Sequence, residues 1–371
     1  MSKKPNPPKK PPKRIGKKLL AWYHANKRDM PWRQTKDPYC ILLSEFMLQQ
    51  TQVDTVIPYY HHFLEAFPTV HHLARAPQDK VLKTWEGLGY YARARNLHKA
   101  AKAISLQYDG TVPDTYDELQ ALPGFGPYTT AAVLSIAYNK DHAVLDGNVI
   151  RVLTRLLNIH DDVTQNAVKK QLWELAESLL AKGQAGDYNQ AVMELGATVC
   201  TPKSPNCQDC PLVTSCDAHQ AGTQASLPVK AKKKPRPHHM LGAGIVWHKN
   251  KVLITQRPEN GLLGGLWEFP AGTQEADETL QETCSRGIKE AVGIDIQIQD
   301  RFRTVKHAFT HFSITIHAFQ CHYKNGKAQA LSCDTFAWVS LVELSDYAFS
   351  RTSRKLADFL QQNAQNDLFI K

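Results

Sequence analysis

A change of hydropathy period near residue 227 limits what this chain can fold into more than any other feature. Ahead of it, from Ile15 to about Cys216, apolar residues recur at helical spacing. The runs Ile15–Asn26, Pro38–Val53, Thr55–Phe67, Pro77–Thr84, Ala92–Leu106 and Gln165–Leu180 carry the pattern. Pro, Gly and Asp punctuate them, which gives about ten helices and an all-α domain. Beyond it, Gly244–Ile254 and Phe312–Tyr323 alternate or run apolar with β-branched and aromatic residues, as strands do. Glu278–Ala291 reads as a helix among those strands and Ser350–Gln362 as a terminal one, so this part is α+β. Between the two lies Leu227–Pro237, LPVKAKKKPRP, a basic linker with prolines. The expected organisation is a tail at 1–14, a helical domain at 15–225, a linker at 226–238 and an α+β domain at 239–371.

A chain of 371 residues has apolar groups enough for a core in each domain. Its net charge of +10 and pI of about 9.1 fit an anionic partner, nucleic acid or an anionic membrane, although a basic pI is common and only mildly informative. No apolar run is long enough to span a bilayer, so the chain is not expected in a membrane. The N-terminus, MSKKPNPPKKPPKRIGKK, lacks the apolar stretch of a secretory signal, and the expected location is intracellular. Residues 1–14 are rich in prolines and like charges and cannot fold alone. They read as a solvated tail or as an arm that displaces counter-ions from DNA.

Four of the 8 cysteines, Cys200, Cys207, Cys210 and Cys216, have the spacing C-x6-C-x2-C-x5-C. In a reducing compartment that clustering suggests a metal site rather than disulfides. Four thiolates suit a tetrahedral zinc or the four irons of a 4Fe–4S cluster, and spacing does not choose between them. The segment Leu122-Pro-Gly-Phe-Gly-Pro-Tyr128 lies between two helical patterns. Gly124 and Gly126 let backbone amides approach a phosphate at the start of a helix; the alternative is an ordinary turn. Glu45 lies in the apolar stretch Leu42-Leu-Ser-Glu-Phe-Met-Leu. Held among such neighbours it would have a raised pKa and serve as a general acid; otherwise it is an exposed Glu on a polar stripe. Asp146 precedes the helical run Val149–Leu157 and reads as its N-cap, which would hold the carboxylate in place.

These residues resemble a known family. Met30-Pro-Trp-Arg33, Leu43-Ser-Glu-Phe-Met-Leu-Gln-Gln-Thr51, Trp85-Glu-Gly-Leu-Gly-Tyr-Tyr91, Leu122–Tyr128, Leu145-Asp-Gly-Asn148 and the four cysteines are collinear with the motifs of the MutY family of adenine DNA glycosylases. The resemblance implies a helix–hairpin–helix glycosylase domain with a 4Fe–4S cluster on the cysteines and Gly124 and Gly126 in the hairpin. It implies removal of adenine opposite 8-oxoguanine or guanine in double-stranded DNA, by a monomer working in the cytoplasm at the nucleoid. Glu45 then resembles the acid that protonates adenine and helps generate the water nucleophile. Asp146 resembles the carboxylate beside the oxocarbenium-like sugar, and Asn148 the residue that orients Asp146 or the water. This division suits a reaction that needs a proton on a poor leaving base and negative charge beside a developing cation. Tyr128 fills the position of a lysine in the endonuclease III branch, where an amine attacks the sugar and adds strand cleavage, so a monofunctional enzyme is implied.

An adenine in a duplex must be flipped out to react. By the same resemblance Gln50 and Tyr90 wedge into the gap, Trp32, Arg33 and Gln190 form the adenine pocket, and Thr51 and Leu88 contact the oxidised guanine. The second domain resembles the Nudix fold of MutT. Gly265-Leu-Trp-Glu-Phe-Pro270 and Gly272, Glu278 and Arg286 open the Nudix signature. Gly287 and Ala291 then replace metal-holding glutamates, though Glu290 and Gly293 remain, so no pyrophosphatase activity is expected. Phe309-Thr310-His311 resembles the family's Phe-Ser-His recognition loop, with threonine adding a methyl. Competing readings are a bifunctional pyrimidine glycosylase–lyase, a nucleotide pyrophosphohydrolase with a DNA-binding helical part, and a lesion sensor without activity.

Overall fold

The computed structural model describes residues 15–231 and 235–369, with side chains as far as 363. The tail at 1–14 and linker positions 232–234 lie outside the described residues. Contacts group the described residues into two units, 15–71 with 99–231 and 72–98 with 235–369.

The first unit is helical. Ile15–Asn26 forms as its apolar period requires, burying Ile15, Leu19, Leu20 and Tyr23. The Pro38–Val53 run is not one helix. It stops at Leu48, Gln50 turns into the left-handed region at φ 58°, and a second helix runs Val53–Ala66. The intervening Gln-Gln-Thr-Gln offers nothing apolar to bury, so the helical face is not continued. Further helices are Pro127–Tyr138, Gly147–Leu156, Asn166–Leu179 and Ala185–Thr198. Asp146 caps the second of these, its carboxylate accepting the Val149 N–H at 2.7 Å. Gly124 has φ 82° and Gly126 is the N-cap of Pro127–Tyr138. Leu153, Leu156, Leu172 and Leu195 join the Ile15–Tyr23 face in one core. At Gly196 a Cβ would lie 2.7 Å from Asn148 Cβ. Glycine is required there, because Ala185–Thr198 presses directly on the start of Gly147–Leu156.

The second unit is a seven-stranded sheet between helices. Its strands are β1 (His238–His248), β2 (Lys251–Gln256), β3 (Trp267–Glu268), β4 (Ala271–Thr273), β5 (Asp295–Ala308), β6 (Ser313–Asn325) and β7 (Thr335–Val339). The main path is β3-β2-β1-β6-β5, with β4 beside β1 and β7 beside β2. The apolar run Gly244–Ile254 is a hairpin, turned at Lys249 and Asn250 with φ of 49° and 62°. The strand pair β1 and β6 is parallel, and its residues run apolar because both faces are covered. Ile245 and Ile254 pack with Phe349, Leu356 and Leu360 on one side; Val246 and Leu253 pack with Cys284 and Ile288 on the other. The covering helices are Leu280–Val292, opened by a Thr279–Glu282 capping box, and Arg351–Phe369. Strand β5 escapes a pattern-based reading because Val305 is its one fully buried residue. It is an edge strand with Asp, Arg, Lys and Gln along its length, and it pairs through its backbone to β6.

Candidate active site

A cavity of about 430 Å³ opens in the first unit. The turn Pro31–Arg33 brings Trp32 and Arg33 to it, and the helix Pro38–Leu48 brings Glu45. Tyr128 enters from Pro127–Tyr138, Asp146 and Asn148 from the start of Gly147–Leu156, and Gln190 and Glu194 from Ala185–Thr198. Glu45 is 4% exposed, which rules out the polar-stripe alternative. Burial pushes its carboxyl up to about 7; the Asp146 charge adds to this, and the Tyr128 hydroxyl, donating at 3.0 Å, opposes it. Burial also raises the Tyr128 phenol well above its usual value, so it remains a protonated donor. Burial raises Asp146 as well, but hydrogen bonds from the Val149 N–H and from Asn148 oppose the rise. Asn148 is itself oriented, because its Oδ1 accepts from Arg151 at 2.7 Å and leaves its amide group to donate to Asp146 at 2.8 Å. The pair is therefore asymmetric. Burial raises both carboxyls, but Asp146 has Val149 and Asn148 as donors to its charged form where Glu45 has Tyr128, so a shared proton goes to Glu45.

The wall opposite is an ion cluster that sequence reading missed. Glu194, 1% exposed at its side chain, accepts from Arg28 Nε at 2.8 Å and from Arg33 at 2.9 Å. Burial would raise its carboxyl, but the bonds from Arg28 and Arg33 prevail and hold it down at about 2. Arg33 Nε also reaches Gln190 Oε1 at 3.3 Å, and Trp32 packs edge-on to Tyr60 at 5.4 Å. Glu194 carried the signal that singled out Glu45, a lone carboxylate in an apolar helical run, Ala191-Val-Met-Glu-Leu195. Arg28 and Met193 at the cavity, and Arg151 behind it, carried no such signal.

The chain is 34% identical to an adenine DNA glycosylase of Rattus norvegicus, in a match covering 91% of this chain and 76% of the relative. It is 31% identical to one from Buchnera aphidicola subsp. Schizaphis graminum, covering 92% of this chain and 97% of that one. The chain belongs to the adenine DNA glycosylase family. As in other adenine DNA glycosylases, the reaction class is hydrolysis of an N-glycosyl bond. Residues 43–178 match the HhH-GPD superfamily of base excision DNA repair proteins, and residues 242–358 match the NUDIX domain. The structure of a thermostable thymine-DNA glycosylase, 30% identical, superposes with a TM-score of 0.50 over 56% of this chain and 95% of that one.

Not every expected adenine DNA glycosylase residue gathers at the cavity. Thr51 lines it, whereas Gln50 stands exposed on its left-handed turn. In the second unit Leu88 is 5% exposed, while Tyr90 is 48% exposed at φ 48°. The Tyr90 hydroxyl lies 3.3 Å from Thr310 Oγ1. Phe309 stacks on Phe312 at 4.6 Å, leaving Thr310 and His311 exposed at the tip of the β5–β6 connection.

Cys200, Cys207, Cys210 and Cys216 line one small cavity, with Arg155 donating to Cys200 Sγ at 3.3 Å. Among the described residues no three His, Cys, Asp or Glu are gathered to hold a single metal ion. Four thiols around one space beside a guanidinium fit a group that carries negative charge and takes four thiolates. Arg151 donates to the Cys200 carbonyl at 2.7 Å, so the cysteine loop is tied to the helix that Asp146 caps.

In the Nudix signature, Arg286 bonds Glu278 at 2.6 Å and Glu290 at 3.2 Å, so both remaining carboxylates are paired. A Cβ at Gly287 would meet Gly272 N at 2.3 Å, against the backbone of β4. Gly287→Glu is therefore expected to destabilise the protein by about 1–3 kcal/mol and to bring no hydrolysis of nucleoside triphosphates. Melting temperature and pyrophosphate release check this, and a folded, hydrolytic variant would contradict it.

Proposed function

We propose that this chain removes adenine mispaired with 8-oxoguanine from duplex DNA, leaving an abasic site without cutting the strand. The observation that carries the reading is the asymmetric pair in the cavity, Glu45 with its carboxyl near pKa 7 and Asp146 held by hydrogen bonds. The flipped adenine enters the pocket of Trp32, Arg33 and Gln190. Glu45 donates its proton to the base, and the C1′–N bond breaks with its electron pair leaving on adenine. Ionised Asp146 stabilises the sugar cation. Water then adds to C1′ and loses a proton to the Glu45 carboxylate, which restores the starting state. Asn148 orients Asp146. Tyr128 polarises Glu45 as a donor, and its raised phenol pKa supports a reaction without covalent attack by this side chain.

Gly124 and Gly126, ahead of Pro127–Tyr138, suit a backbone phosphate. Gln50 and Tyr90 act as wedges, and Thr51, Leu88, Phe309, Thr310 and His311 read the orphan base. Cys200, Cys207, Cys210 and Cys216 would hold a 4Fe–4S cluster, which when bound ties their loop into one rigid body. The protein acts as a monomer on nucleoid DNA, and no helix among the described residues is long and apolar enough to cross a membrane.

The test is a duplex with adenine opposite 8-oxoguanine, analysed with and without alkali. Free adenine and breaks appearing only after alkali are expected. Breaks without alkali would mean a lyase, and no adenine release would leave a sensor.

A further inference from the structure

The second unit contains a cluster of polar groups that the reaction does not use. It centres on the turn Trp85-Glu-Gly-Leu-Gly-Tyr-Tyr91, where Gly87, Gly89 and Tyr90 have φ of 96°, 77° and 48°. Two of these are glycines, but Tyr90 is not, and a bulky side chain keeps a left-handed backbone only where its surroundings impose it. The residues on either side of Tyr90 in the turn are tied down. The Glu86 carboxylate accepts from Arg354 Nε at 2.8 Å, from the Phe349 N–H at 3.0 Å and from Lys83 at 2.6 Å. The Tyr91 hydroxyl donates to the Phe349 carbonyl at 3.2 Å and accepts from the Gly87 N–H at 3.1 Å. Residue 349 is thus held by the turn through both of its backbone groups. Arg354 lies over the Phe349 ring at 4.8 Å and donates to the Tyr347 carbonyl at 2.7 Å. Side-chain exposures of 14% for Glu86 and 21% for Arg354 take this pair out of the class of screened surface bridges. At its other end the same turn meets Thr310 through Tyr90.

We propose that Glu86 and Arg354 are positioning residues that fix the pose of Tyr90 against the Thr310 loop, and so set the preference for oxidised guanine over guanine opposite the adenine. This rests on the reading that Phe309–His311 reads the oxidised base. Releasing the clamp lets the Tyr90 backbone leave its strained conformation. The hydroxyl then loses its register with Thr310, and a signal read at the loop no longer reaches the wedge.

The test uses the full chain and single-turnover rates on two duplexes, adenine opposite 8-oxoguanine and adenine opposite guanine. Glu86→Ala and Arg354→Met should each lower the ratio of the two rates about tenfold, the scale of a typical coupling between sites. The double variant should be no worse than either single. Glu86→Gln keeps an acceptor for the Phe349 N–H and should lose less; it also keeps the test valid if the alanine variant does not fold. A merely structural role lowers the active fraction and both rates alike, leaving the ratio unmoved. An unchanged ratio in Glu86→Gln and Arg354→Met, with His311→Ala abolishing the preference, would overturn the clamp and leave the lesion reading standing. Equal rates of the native chain on the two duplexes would overturn both.

Discussion

Glu45→Gln is expected to slow adenine release about 10²–10⁴-fold, the usual contribution of a general acid, and at the same time to stabilise the protein above pH 7. The amide has the carboxyl's shape and still accepts from Tyr128, but it has no proton of suitable acidity to give. The stability gain follows from the raised pKa. Glu45 titrates near 7 in the folded chain against a usual 4.5. The folded state thus holds a proton that the unfolded state has already lost. Stability from this group is full below pH 4.5 and falls away as pH rises through about 7. For a buried group with this shift the loss is on the order of 3 kcal/mol. Glutamine cannot ionise and escapes it. Urea denaturation at pH 5 and pH 8 should show variant and native nearly equal at the lower pH and the variant ahead at the higher. A variant that is no more stable at pH 8 would mean that Glu45 is not held neutral by its surroundings.

Glu194→Ala is expected to cost about 3–5 kcal/mol at pH 7, the penalty for removing one partner of a buried ion group. Arg33, whose side chain is 10% exposed, would be left without its carboxylate, and Gln190 would lose the arginine that orients it. Adenine binding should weaken along with the fold. The pH dependence has the opposite sign to that of Glu45. With a folded pKa of about 2 against 4.5, Glu194 contributes stability in full above pH 4.5, and this is lost as pH falls through 2. The variant's acid unfolding should therefore be shallower. A loss below about 1 kcal/mol would place the group with screened surface pairs.

Several of these features were legible in the sequence, and the rest were hidden for identifiable reasons. One-sided apolar spacing marked the helices Ile15–Asn26 and Asn166–Leu179, and a lone aspartate before an apolar run marked the cap at Asp146. The same spacing ran across Gln49–Gln52, because Val53 restored an apolar residue after a break that only backbone geometry reveals. Strand β5 was invisible because an edge strand needs a partner backbone rather than a buried face. Lys249-Asn250 lacks the glycine that usually marks a hairpin. Whether Glu45 faced solvent depended on packing around the whole helix, where every position from Ile41 to Met47 is buried. The ion pairing of Glu194 was hidden because its partners, Arg28 and Arg33, are 166 and 161 residues away in the chain. The grouping of 72–98 with the sheet left no trace in a stretch whose helical spacing matches its neighbours.

In the proposed mechanism Glu45 delivers the proton, with its pKa set near 7 by burial. The most direct measurement is the single-turnover rate of adenine release from pH 5 to 9, for the native chain and for Glu45→Gln. The native rate should be level at low pH and fall as pH rises through about 7, while the variant is slow throughout and lacks that step. A native rate that climbs through pH 7, or a variant that keeps both the native rate and its pH step, would contradict the assignment.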